Sequence, residues 1–254
     1  MAAMQEILIA VAVFLCLTAA PLVSMAVYRK LPAHHREDDT NNVVRLAANL
    51  FVVMTSLVLG LMINSAKNTY ESIDHNVHAY ATELILLDRT LRQYGPETGE
   101  VRQPLVAYVQ RLTAGWAQTD ETPLVANRLS ERLLTEIGTR LIALAPADAA
   151  HGSLLQDARQ HLAKVLELRW ALIEQSEGTI PPPLIGMLIA WLVLIFASFG
   201  FRAPRNAITV ATFVVSAALI AGALYLILDM DVPFSGPIQI SSAPLQRALA
   251  ELQQ

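Results

Sequence analysis

The chain has one cysteine, Cys16, in 254 residues, so an internal disulfide and a thiolate metal site are both excluded. Charge is also scarce. Charged residues make up 16% and apolar residues 54% of the sequence, where a soluble domain carries about 25% and 45–50%. No basic excess exists either: the net charge is −4 and the pI 5.9, which excludes the electrostatic footprint of a nucleic-acid binder. No Walker loop, dinucleotide fingerprint or HExxH is present, no constellation supports an enzyme, and no cofactor is expected. Alternating strand patterns of useful length are missing as well, which leaves an all-α protein.

The apolar excess sits in four blocks. The first, Ile7 to Tyr28, holds no charge and contains Pro21. As a helix it rises roughly 33 Å, enough for a hydrocarbon core of about 30 Å. A cleaved signal peptide is the rival reading. Met1 to Glu6 carries no Lys or Arg, and the run exceeds a signal's usual apolar length, so a retained span is expected. The second block runs Val43 to Asn64, the third Leu184 to Phe201 after Pro181, Pro182 and Pro183, and the fourth Ala207 to Leu228, against Asp229 and Asp231. The expected architecture is therefore four transmembrane helices with a helical coiled-stalk domain inserted between spans two and three. Residues 1–64 hold spans one and two, 65–183 the extramembrane domain, 184–228 spans three and four, and 229–254 a tail.

Basic residues cluster in the short connections: Arg29, Lys30 and Arg36 in the first, Arg202 and Arg205 in the last. The positive-inside rule puts these loops in the cytoplasm, and the middle domain and both termini on the other side.

No Gly or Pro interrupts Leu61 to Tyr94. Tyr70, Ile73, Val77, Tyr80, Leu84, Leu87, Leu91 and Tyr94 recur at alternating spacings of three and four, a heptad seam. Span two should therefore continue about 45 Å beyond the membrane, ending at Gly95-Pro96. A second seam, Leu155, Ala158, Leu162, Val165 and Leu172, widened by Leu166 and Leu168, includes Arg169. Between the seams two shorter helices are expected, Pro104 to Trp116, with Pro104 in its first turn, and Pro123 to Leu144. The segment from Asp229 to Pro237 reads as non-helical. Leu245 to Leu252 reads as a short amphipathic helix that lies on the membrane or docks on the stalk.

Candidate functional residues lie within the spans. Arg45, Asn49, Ser56, Gly60 and Asn64 fall on one face of span two at about 100° per residue, and Lys67 continues it. Asn206, Thr209, Thr212 and Ser216 form a second row on span four. Polar groups in hydrocarbon need partners or water. The rows are therefore either helix-packing surfaces or the lining of an ion path. Asp229 and Asp231 are either interfacial anchors or an acidic pore mouth. His75 and His78, with Glu71 and Asp74, share a helix face, which reads as a solvated surface and not a metal site. His34 and His35 sit in a charged loop.

The run Leu226-Ile227-Leu228-Asp229-Met230-Asp231-Val232-Pro233-Phe234-Ser235-Gly236, followed by Ile240-Ser241-Ser242-Ala243-Pro244-Leu245, resembles the C-terminal signature of a bacterial bestrophin-like membrane family. Ala203-Pro204-Arg205-Asn206, Leu87-Asp88-Arg89, Tyr94-Gly95-Pro96-Glu97 and Trp116 extend the match. The resemblance implies a homo-oligomer in the bacterial cytoplasmic membrane, with the lipid bilayer and small ions as its partners. Bestrophins are oligomeric anion channels with four spans and a helical domain between spans two and three. They keep that domain in the cytosol, opposite to the charge-based orientation, and none of their pore residues maps onto span two here. A bestrophin-like ion channel lined by spans two and four is one expectation. A non-conducting envelope sensor or scaffold, whose stalk binds a protein partner, is the other.

Overall fold

The computed structural model describes residues 2–28, 30, 38–116, 128–176, 178–201, 203–234 and 237–254. His34, His35 and the start expected for the helix at Pro123 lie outside the described residues. Eight α-helices are described: α1 (Ala2–Tyr28), α2 (Asp38–Tyr94), α3 (Gly99–Trp116), α4 (Arg128–Ala143), α5 (Ala149–Gln175), α6 (Pro182–Gly200), α7 (Ala207–Asp231) and α8 (Ala243–Leu252). Among the described residues there is no strand. The chain divides into two compact units, one of Met1–Asn68 with Thr179–Asp231, the other of Thr69–Gly178 with Val232–Gln254.

In the first unit α1 packs along both α6 and α7. Val13, Leu17, Met62, Leu188, Leu192, Phe196, Ala217 and Leu224 form its core. Gly200 lies so close to α1 that a Cβ there would overlap the backbone of Pro21, which is why no side chain fits at this crossing. Among the described residues four helices are long and apolar enough to cross a membrane, and only 17–28% of their apolar windows is buried within the chain. Most of their apolar surface therefore faces outward, as expected where lipid or another subunit, not water, is the surroundings.

α2 is one helix of 57 residues, unbroken from Leu61 to Tyr94 as the missing Gly and Pro predict there. It stops where Gly95 adopts φ +132°, a conformation open to glycine, and Pro96 begins a short 3₁₀ turn. In the second unit, every seam residue from Ile73 to Tyr94 is buried and Tyr70 is half-buried. The seam packs with buried Leu155, Ala158, Leu162, Val165 and Leu172 of α5. Asn76 bonds Gln175 at 2.9 Å and Glu83 lies 2.7 Å from His161, so α2 and α5 run antiparallel. Leu168 is buried, whereas Leu166 is exposed and does not widen the seam.

Several boundaries differ from expectation: α1 starts at Ala2, not Ile7, α2 at Asp38, not Val43, and α8 at Ala243, not Leu245. α3 starts at Gly99, not Pro104, so Pro104 sits inside the helix. A proline there leaves the carbonyl of residue 100 without its donor, and Arg140 Nη1 of α4 donates to that oxygen. Span four does not end at Leu228, because α7 continues to Asp231. Asp231 holds that end: its carboxylate accepts from the amides of Thr179 (2.8 Å) and Ile180 (3.1 Å) and from the Thr179 hydroxyl (2.6 Å). These are the last backbone donors before three consecutive prolines, which have none to offer. α6 starts at Pro182, two residues before the apolar block.

Of the two placements open to the amphipathic tail, α8 takes the docked one. Pro244, Leu245, Ala248 and Leu252 are buried in the second unit's core. Its last carbonyls, which a helix end leaves without intrahelical donors, accept from Arg92 Nη2 at 2.9 Å (Glu251) and 3.1 Å (Leu252). Asp88, with its side chain 3% exposed, orients Arg92 at 2.6 Å and Arg102 at 2.7 Å. Trp116 donates to the Ile240 carbonyl at 3.1 Å and meets Phe234 edge-on.

Candidate pore-lining faces

In its first unit α2 presents three sectors. Ala48, Thr55, Met62 and Ala66, spaced for one helix face, are buried against the chain. Leu46, Leu50, Val53, Leu57 and Leu61 form an exposed apolar sector. Between these two sectors runs the polar row, with Arg45, Asn49, Ser56, Gly60, Asn64 and Lys67 all exposed. The row thus lies on a side of α2 that the chain itself does not cover.

The polar side chains differ in what they need. Ser56 Oγ donates to the Val52 carbonyl at 2.8 Å, and Thr212 Oγ1 to the Ile208 carbonyl at 2.9 Å. Hydroxyls in a helix can satisfy themselves this way and do not require water. Among the described residues no hydrogen bond satisfies Asn49 or Asn64, both of them exposed, and a carboxamide has two donors and an acceptor to place. Gly60 has open space where a Cβ would stand.

On α7 the row has a second job. Asn206 Oδ1 accepts from the Thr209 amide at 2.7 Å, the N-cap of the helix. Thr209 and Ser216 are half-buried and Thr212 is exposed. Among the described residues no hydrogen bond joins the α7 row to the α2 row; α7 packs along α1 instead. Asp229 is fully buried and Asp231 is 5% exposed. They share their end of the unit with Glu6, whose side chain is also buried. Sequence reasoning passed over Glu6, because it precedes the apolar run and offers no spacing motif.

The histidine face of the second unit is solvated, with Glu71, His75 and His78 exposed and His78 Nδ1 2.9 Å from the Asp74 carbonyl. Among the described residues no group of three His, Cys, Asp or Glu side chains is placed to hold a metal. Inside this unit the hydroxyls of Tyr80 and Tyr108 bond each other, and burial pushes the Tyr108 phenol above its ordinary value. Arg169, at the seam position read from the sequence, is 3% exposed, with Nη2 3.9 Å from Glu131.

Four apolar helices long enough to span a bilayer, with an uncovered polar row on one of them, define an all-helical multi-span membrane protein. The chain belongs to the Bestrophin-like family, whose domain matches residues 15–245. Among solved structures, crystal structures of a bacterial bestrophin homologue from Klebsiella pneumoniae share the fold. A point variant aligns at TM-score 0.66 and 13% identity, covering 96% of this chain and 97% of that one. The homologue phased on zinc aligns at TM-score 0.62 and 14% identity, covering 95% and 96%. No curated protein matches the sequence.

Proposed function

We propose that this chain is the subunit of a homo-oligomeric channel for small ions, with the polar row of α2 turned toward the conduction path. The observation that carries the reading is the exposure of Asn49 and Asn64 on a membrane-spanning stretch of α2. In lipid an unsatisfied carboxamide is expensive, so these groups require water or a neighbouring subunit. A symmetric ring supplies both at once: the apolar sector packs on neighbours while the polar row faces the axis. One four-helix subunit has no room for a water-filled path, so oligomerisation is part of the proposal.

Conduction is passive in this reading, since neither row carries an ionisable residue near its span centre. The row on α7 is the secondary lining candidate: Thr212 is its exposed member, and Asn206 is occupied as a cap. Asp229 and Asp231 act at the mouth only if assembly or a gating motion uncovers them, because the chain alone buries both. The second unit is the extramembrane stalk of the subunit.

Cysteine accessibility tests the lining. In a Cys16→Ala background, Ser56→Cys should react with a charged thiol reagent and lose flux. Leu57→Cys, in the apolar sector, should not. Equal reactivity at both positions would reject the assignment of the polar row to the path.

A further inference from the structure

The seam between α1 and α7 holds two apolar grooves, one toward each end, and they differ in what borders them. The first has a volume of about 770 Å³, and its walls include Leu22 and Met25 of α1 with Val210, Ala211 and Val214 of α7. It also includes Arg205 and Asn206, where α1 finishes and α7 begins. The second, of about 600 Å³, lies among Ile7, Val11, Phe14, Ala218, Gly222 and Tyr225, with no basic residue.

We infer that the first groove is a binding site for an anionic phospholipid, with an acyl chain along α1 and α7 and the phosphate at Arg205. Both walls belong to helices that span the bilayer, so lipid is the surrounding solvent. Burying a lipid tail against Leu and Val gains little over leaving it among other tails. Selectivity must therefore come from the head group, and the charged side chain in the groove's lining, Arg205, is basic. Arg205 stands in the lining, and Lys30 follows two residues after the end of α1, with the acidic run Glu37-Asp38-Asp39 seven residues further along the chain.

Arg205 Nη2 donates to the Met25 carbonyl in the last turn of α1. That bond steers the side chain to the groove and uses one of five guanidinium donors, leaving others for phosphate oxygens. Such a charge-assisted contact is worth about tenfold in affinity.

The test uses the full chain in detergent, offered equal amounts of phosphatidylglycerol and phosphatidylcholine, with bound lipid counted by native mass spectrometry. The wild type should retain phosphatidylglycerol about tenfold over phosphatidylcholine. Arg205→Gln should bring the ratio near one. Ala211→Trp should fill the groove and remove the retained lipid while leaving the Arg205 bond to Met25 intact. Ala218→Trp, in the second groove, should leave the preference unchanged. A wild-type ratio near one overturns the proposal, as does a preference that survives Ala211→Trp. A change of subunit number on Ala211→Trp, with no lipid lost, would make the groove a contact between copies and overturn it equally.

Discussion

Arg140 of α4 donates to the carbonyl of Glu100 in α3, the oxygen that Pro104 leaves without an intrahelical donor. A residue 40 positions away thus repairs a local defect, and the repair lets α3 begin a turn and a half earlier than its proline suggests.

The pair should behave as a coupled unit. Arg140→Met should lower the stability of the folded protein by about 1 kcal/mol. In a Pro104→Ala background the helix recovers its own donor, and the same substitution should lose less. Thermal unfolding of the four proteins in detergent gives the coupling; strict additivity would refute the repair.

Asp88 is the pivot of the tail. Its buried carboxylate holds Arg92 and Arg102, and these reach the last carbonyls of α8. Asp88→Ala leaves two partly buried guanidinium groups without their anion. It should cost about 3 kcal/mol, the low end for a broken buried pair because both arginines are a third exposed. Hydrogen exchange should speed up in residues 243–252 first. Unchanged protection there would mean that the apolar face of α8 suffices.

Much of this was legible in the sequence and some was not. The continuity of α2 from Leu61 to Tyr94, its stop at Gly95 and the buried seam follow from the absence of Gly and Pro there and from heptad spacing, both local signals. Pro104, the end of α7 and the docking of α8 depend on Arg140, Asp231 and Arg92, partners brought together only by tertiary structure. The polar row on α2 was visible as periodicity. That its one hydroxyl, Ser56, is satisfied by its own helix, while among the described residues Asn49 and Asn64 are not, is a matter of side-chain placement that periodicity does not give. Asn206 reads equally as lining residue or cap from sequence; only the 2.7 Å bond to the Thr209 amide shows the cap.

The start of α5 should be pH-dependent. Asp148 Oδ1 accepts from the His151 amide at 2.8 Å and lies 2.7 Å from His151 Nδ1. Those bonds hold the Asp148 carboxyl below its ordinary value, and the same carboxylate raises the His151 imidazole. A lowered carboxyl stabilises above its unfolded value and loses this as pH falls through its folded one. A raised histidine stabilises below its unfolded value and loses this as pH rises through its folded one. Amide protection in residues 151–154 should therefore be greatest between about pH 4 and 6.5. Asp148→Ala should flatten the profile; an unaltered profile would exclude the pair as its source.

Orientation separates the charge rule from the bestrophin resemblance. Gln103 of α3 is exposed and offers a labelling position in the second unit. With Cys16→Ala and Gln103→Cys, an impermeant reagent applied to intact cells should label the protein if the basic loops are cytoplasmic. Labelling only after lysis would reverse the orientation.

The most direct measurement is ion flux through the purified protein in liposomes, under separate chloride and potassium gradients. The channel account predicts flux down one of these gradients and its loss on Ser56→Leu, with the subunit count unchanged. Folded, correctly inserted protein that passes neither ion would contradict it.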